Sequence, residues 1–473
     1  MMTELEQRDH DLSLLRQNVQ KLNEQWNIVD GPVQSHKPVI GGLITLLKRC
    51  IRKSTYWLIR PYWNQQIQFN MTVTAAISDL YRLQSNANTA PLTVVASNES
   101  TPTTGPRIIQ LVSSLNFGDA VGNEVVAFKR TLQEQGYTTE IYTNHIHKKI
   151  APGTAKLYQD MPKLNEQDLV IYHFASECDI SKDLKKFPCK VILRYHNVTP
   201  PEFFHGYDSN AERATTNGLK QVKEMRPYID FCLPVSKFNM EDLKAMGYDC
   251  PMEVLPILIR FDDYAQEPDQ SVIDKYTADG RTNLLFVGRM APNKKVEDVV
   301  SAFAVYKEKY DQTARLFLVG SFQEEDKYYQ QLQKHIKKLG VEDVIFPGHI
   351  SFAAILAYYR IADVFLCMSE HEGFCVPLVE AMYFDVPVVA YNKCAVPDTL
   401  GHSGVVVSEK NYDQIAQIVH KIVSDEDMKE RIIDRQNTRL KDFDLAKLKI
   451  QFIKLIQKLE ENSNDEFQKK SFI

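Results

Sequence analysis

The sequence predicts an α/β protein made of two Rossmann-like domains, preceded by a helical N-terminal extension. Two observations carry this. From residue 106 onward, apolar β-branched runs alternate with helical patterns, as parallel strands covered by helices require. The alternation comes in two series, separated near 258–280, and 473 residues hold enough apolar material for more than one core.

Residues 1–84 read as helical. Leu5, Leu12, Leu15, Val19, Leu22 and Trp26 fit a heptad seam, with Arg8 as the exception. A homo-oligomer through residues 5–26 and a helix packed on its own protein both satisfy that pattern. Over residues 38–63, Ile40, Leu43, Ile44, Leu47, Ile51, Leu58 and Tyr62 share one helical face. Lys48, Arg49, Arg52, Lys53 and Arg60 fall mostly opposite, and Trp57, Tyr62 and Trp63 cluster at the end. Such a helix lies on an anionic membrane surface, or packs as a basic helix on the catalytic body. Residues 85–105, rich in Ser, Thr, Asn and Pro, form a flexible linker.

The first series places strands at 107–115, 169–174, 191–195, 231–235 and 252–257. The second places them at 284–288, 315–320, 344–346, 364–368, 387–391 and 404–407. Helical patterns lie between, for example at 121–135, 297–310, 324–339 and 352–361. The domains are thus 106–270 and 271–445, with a C-terminal helix and tail over 446–473.

A net charge of −5 offers no basic face for nucleic acid. The eight cysteines lack C-x-x-C spacing, so reduced, mostly buried thiols of a cytoplasmic protein are expected, without a disulfide framework or zinc site. No signal peptide is expected, and no apolar run approaches the roughly 20 residues that span a bilayer.

The most informative segment is Glu372-Gly373-Phe374-Cys375-Val376-Pro377-Leu378-Val379-Glu380. Pro377 suits a first helical position, which places Glu380 in the first turn and Glu372 in the loop ahead. Free amides at that helix start favour an anion such as a diphosphate. Carboxylates repel that anion but accept hydrogen bonds from hydroxyls. An anion flanked by hydroxyls describes a nucleotide-sugar. Upstream, Arg289 and Lys294 leave the carboxyl end of strand 284–288, where two cations stabilise a leaving nucleoside diphosphate. No D-x-D element stands out, so no metal or cofactor is expected.

These two segments resemble the E-x7-E motif and the R-x4-K diphosphate clamp of retaining glycosyltransferase family 4. The resemblance covers roughly residues 106–445. It implies a GT-B fold with the donor, a substrate rather than a cofactor, bound in the cleft between the domains. It implies Glu372 at the hexose, with Gly373 and the amides of Phe374 and Cys375, and Glu380 at the ribose. Arg289 and Lys294 would hold the diphosphate, with Lys295 as neighbour. Cys375 stands where the family usually has Gly. Asp385 replaces a Gly at a position that needs a left-handed backbone, which Asp tolerates.

In the first domain, Gly118 and Asp119 follow strand 107–115 and resemble the family's glycine-containing first loop, Gly118 near the diphosphate and Asp119 near an acceptor hydroxyl. An ordinary strand–helix turn fits equally. His196, ending strand 191–195, matches the family's cleft histidine, and His173 is a weaker acceptor-side candidate, as is Ser236 at the cleft. Ile350, after strand 344–346, resembles the base-pocket segment. The implied reaction moves a hexose to a saccharide or lipid-linked hydroxyl with retention, in envelope polysaccharide or glycolipid synthesis. The alternatives are an epimerase or phosphorylase of related fold, and a non-catalytic scaffold.

Overall fold

The computed structural model describes residues 106–470 apart from Phe117 and His349, with side chains as far as Glu461. The expected heptad helix, amphipathic helix and linker of residues 1–105 lie outside the described residues.

The first sheet comprises β1 (Arg107–Leu115), β2 (Thr138–Ile146), β3 (Lys156–Leu157), β4 (Leu169–Phe174), β5 (Lys190–Tyr195) and β6 (Phe231–Pro234). Its order is β3-β2-β1-β4-β5-β6, and every pair is parallel. The helices that follow its strands are α1 (Ala120–Glu134), α2 (Ser209–Met225) and α3 (Lys237–Ala245). A short helix, α4 (Gln270–Thr277), leads into the second sheet. That sheet comprises β7 (Asn283–Val287), β8 (Arg315–Val319), β9 (Val344–Gly348), β10 (Val364–Cys367), β11 (Val388–Tyr391) and β12 (Val405–Val407). Its order is β12-β11-β10-β7-β8-β9, again all parallel. Helices α5 (Val296–Lys309), α6 (Lys327–Leu339), α7 (Phe352–Arg360), α8 (Val376–Tyr383), α9 (Val396–Leu400), α10 (Tyr412–Ser424) and α11 (Glu426–Leu440) surround it, and α12 (Leu445–Lys470) closes the chain.

Strands buried on both faces carry unbroken apolar runs, such as Leu284-Leu285-Phe286 and Leu169-Val170-Ile171. Helices α5 and α10 cover one face of the second sheet, α7 and α8 the other. Helix α12 returns to the first sheet: Leu448, Phe452, Ile456 and Leu459 pack with Ile108, Phe128 and Ile192, and Phe452 stacks on Phe128 at 4.1 Å.

Two differences from the sequence reading have physical causes. Strands β2 and β3 are not among the expected strands, because Thr138–Ile146 mixes Thr, Asn, Glu and His among its apolar residues, as strands near a sheet edge do. Residues 252–257, expected as a strand, form an extended strap instead. It is bridged to β6 at Cys232 and Met252, and the Glu253 and Leu255 amides donate to the Cys232 and Pro234 carbonyls, after which Pro256 removes a donor. Among the described residues no helix is long and apolar enough to cross a membrane.

Candidate active site

The carboxyl ends of the two sheets meet, and the loops leaving β5, β7, β10 and β11 are tied to one another there. After β7 the pairing with β8 runs on past the strands: the Gly288 amide donates to Val319 O at 2.9 Å and the Met290 amide to Ser321 O at 3.1 Å. A Cβ on Gly320 would overlap the Gly288 carbonyl, so glycine is required for that approach. The chain then turns through Pro292–Lys294, and Lys295 takes a left-handed φ of 50° to start α5. Arg289 is left exposed at the strand end.

The loop after β10 is sewn to this turn. Asn293 donates to His371 O at 3.0 Å through Nδ2, and its carbonyl accepts from the Glu370 amide at 2.9 Å. The Ala395 amide, after β11, donates to Glu372 O at 3.3 Å. These ties bring Lys294 to Glu372: Nζ lies 2.7 Å from both carboxylate oxygens, with side chains 23% and 7% exposed. Burial draws the Lys294 pKa down, but the facing Glu372 outweighs it and holds it above the ordinary lysine value.

Cys375 adopts a left-handed φ of 72° as N-cap of α8, so the helix starts at Val376 and Pro377 takes its second position. Glu380 therefore sits in the second turn, one step further along than the sequence suggested. Its carboxylate accepts from Tyr264 Oη at 2.9 Å and Tyr359 Oη at 2.7 Å. Burial lifts its pKa above the usual carboxyl value. Each of its oxygens keeps capacity for a further hydrogen bond. Asp385, after the helix, has φ 56°, the left-handed backbone expected of that position.

The Glu372-Gly373-Phe374 loop presses against the end of β5. A Cβ on Gly373 would overlap His196 O and lie 2.8 Å from the Asn197 Cβ. Beside it, His371 Nε2 and Asn197 Oδ1 are 2.6 Å apart, with Phe203 and Phe238 packed on the ring. Burial lowers the His371 pKa to about 4. Asp398, from α9, accepts from the Phe238 amide at 3.0 Å, a second tie across the two sheets.

His196 stands where β5 ends, its side chain 3% exposed. Nε2 is 3.3 Å from His173 Nδ1 and 3.5 Å from Glu124 Oε2, while Nδ1 is buried without a partner. Burial, with the nearby Arg194 charge, holds the ring well below the usual histidine pKa, hence neutral. His173 does not reach an acceptor. It is buried behind His196, with Gln110 3.1 Å from its Nε2, because β4 is a central strand covered on both faces. Asp119 is the N-cap of α1, its Oδ1 accepting from the Gly122 amide at 2.5 Å, so that oxygen serves the helix. Gly118 is exposed at φ 83°, with open space around it. Ile350 is half-buried against the core beneath α7 and α8. Ser236 caps α3.

Sequence reasoning missed His371, Asn197, Tyr264 and Tyr359. His371 adjoined the motif and could have been noticed. The tyrosines come from the 3-10 turn at Phe261–Ala265 and from α7, and carried no local signal.

Residues 270–439 match the model of the family described as "Glycosyl transferases group 1". The chain is 25% identical over 228 residues to the O-antigen chain mannosyltransferase B of Escherichia coli, covering 47% of this chain and 59% of that protein. It is 27% identical over 195 residues to a GDP-mannose-dependent α-(1-6)-phosphatidylinositol monomannoside mannosyltransferase of Mycobacterium tuberculosis, covering 39% and 49%. The chain thus spans about half the length of the curated relatives it matches. Among solved structures it resembles the sucrose-phosphate synthase of Thermosynechococcus elongatus, with a TM-score of 0.57 at 16% identity over 75% of this chain and 99% of that one. It also resembles Anabaena Alr3699/HepE in complex with UDP-glucose, with a TM-score of 0.55 at 19% identity over 74% and 99%. The two parallel six-stranded sheets with their helices are those of the GT-B fold.

Proposed function

We propose that this chain is a glycosyltransferase that moves a hexose from a nucleoside diphosphate-sugar to an acceptor hydroxyl, with retention at the anomeric carbon and without a metal. The observation that carries the reading is the Lys294–Glu372 contact, on a loop held against His196 where the two sheets' carboxyl ends meet. The family match over the second sheet supports it.

In this reading Arg289 and Lys294 take the diphosphate and stabilise the charge that grows as the glycosidic bond breaks. Gly118 approaches the same group from the facing loop. Lys294 then sits between phosphate and Glu372, which accepts from hexose hydroxyls alongside the amides of Phe374 and Cys375. Glu380 accepts from the ribose, and Ile350 lines the base pocket. His196, neutral and with Nδ1 unpartnered, hydrogen-bonds the sugar at the bond being broken. The acceptor attacks from the face the diphosphate leaves, and the leaving phosphate takes its proton. Excluding water between the domains limits donor hydrolysis.

The acceptor is a saccharide or a lipid-linked saccharide of envelope polysaccharide or glycolipid synthesis, reached on the cytoplasmic face of a membrane. Residues 38–63 meet an anionic surface, residues 5–26 join copies of the chain, and nucleic acid is no partner. The test is a thermal-shift and slow-hydrolysis screen against UDP-, GDP-, ADP- and dTDP-sugars in EDTA. Stabilisation and hydrolysis by one donor are expected. Donor turnover into an isomer would indicate an epimerase, a phosphate requirement a phosphorylase, and silence towards every donor a scaffold.

A further inference from the structure

We propose that Cys367, Cys375 and Glu372 form a binding site for a thiophilic divalent cation of the zinc class, beneath the sugar-contact loop. Cys367 ends β10, Cys375 caps α8, and Glu372 lies in the loop between them. One donor atom from each lies within 4.8 Å of the others, and the residues are 2%, 8% and 7% exposed. Tetrahedral zinc, with bonds of about 2.0–2.3 Å, needs donor atoms roughly 3.5–4 Å apart, so closure asks for small side-chain shifts. The left-handed backbone at Cys375 is what places its thiol here.

Charge balance admits the same ion. Two thiolates and a carboxylate sum to −3, and a divalent cation with Lys294 beside it sums to +3. Glu372 has two oxygens, so it can bind the ion through one and keep Lys294 on the other. The occupied site is then neutral overall. Binding releases two thiol protons, so affinity rises with pH. No C-x-x-C spacing announces this site, because strand end and helix start supply the thiols separately. The other group of metal-ligand type among the described residues, Glu124, His173 and His196, is already committed: Glu124 pairs with Arg194 through two hydrogen bonds.

The functional consequence rests on the reading above: the ion withdraws Glu372 from the donor sugar, so it inhibits transfer. Binding itself does not depend on that reading. The experiment is a Co2+ titration of the full-length protein, followed by thiolate-to-cobalt charge-transfer absorption and reversed by Zn2+. One equivalent is expected, with the band lost in Cys367→Ser and in Cys375→Ser. It should survive in Cys232→Ser, since Cys232 and Cys250, with sulfurs 3.5 Å apart, are the decoy pair. No band in the wild type, or a band that follows Cys232 instead, overturns the site. Because a cysteine variant can unfold, Zn2+ protection of the wild-type thiols against alkylation is read by mass spectrometry. Protection of Cys367 and Cys375 is expected, and unchanged labelling of both overturns the site. Donor turnover should fall on adding one equivalent of Zn2+ and return with EDTA. Co2+ binding in a protein inert to every donor keeps the metal site and sinks the transferase reading. Transfer without Co2+ binding does the reverse.

Discussion

Lys294 and Glu372 each restrict what the other can do. The ammonium sits on both carboxylate oxygens, so in the proposed function an arriving diphosphate would take up a cation already positioned rather than one drawn from solvent. Glu372→Gln keeps the shape but weakens acceptance from sugar hydroxyls and the hold on Lys294. Turnover should fall about 100-fold or more, measured in the steady state with whichever donor the screen identifies. Arg289 is exposed, so Arg289→Ala should leave the melting temperature unchanged while kcat/KM drops by about 100-fold. The titration of His371 bears on stability. Its folded pKa, about 4, lies below the roughly 6.5 of an unfolded histidine. The unfolded chain therefore binds the extra proton first, and stability is lost as pH falls from about 6.5 towards 4. His173 and His196, also held well below the usual value, add to the same trend. Thermal melts between pH 7.5 and 4.5 should show this fall, and His371→Asn should make it shallower.

At the element scale, the site depends on two close approaches between backbones. Gly320 lets the Gly288–Arg289 turn lie on the end of β8, and Gly373 lets the β10–α8 loop lie on the end of β5. Gly373→Ala forces that loop off His196. It should cost about 1–3 kcal/mol of stability, as overpacking does, and a larger fraction of kcat. Denaturant melts and single-turnover transfer measure the two parts, and an active, fully stable alanine variant would contradict the packing. Glycine at 373 belongs to the motif and was visible in the chain. Gly320 lies 31 residues after Arg289, and its partner is known only once β7 and β8 pair.

For the whole molecule, the strap that leaves the first domain is anchored by a fully buried ion pair. Arg194, in β5, pairs with Glu124 of α1 and also donates to the carbonyls of Leu233, Leu255 and Pro256. Glu124 accepts in turn from the Leu258 amide. The strap out of the first domain is thereby tied to the first sheet, ahead of α4 and β7. Arg194→Met leaves Glu124 charged and several carbonyls without donors, so a loss of about 3–5 kcal/mol is expected in denaturant melts. Helix α12 makes the other long return, and Phe452→Ala should cost about 3–5 kcal/mol by opening a hole against Phe128.

The sequence by itself determined the alternation of strands and helices, the division into two sheets and the motif residues, because these depend on local periodicity and spacing. The apolar runs of β1 and β4 to β12 were legible for that reason, whereas the more polar β2, next to the edge strand β3, was not. Asp385 was legible too, since a left-handed position restricts residue type by local sterics. Tertiary structure alone decided which side chains meet. His173 went behind His196 because β4 is central, and Asp119 became a helix cap because of where α1 starts. Glu380 acquired two tyrosines from separate elements, and Cys367 came to face Cys375 across a strand end and a helix start. Such contacts join residues far apart in the chain, and a single sequence holds no distance information about pairs that only packing brings together.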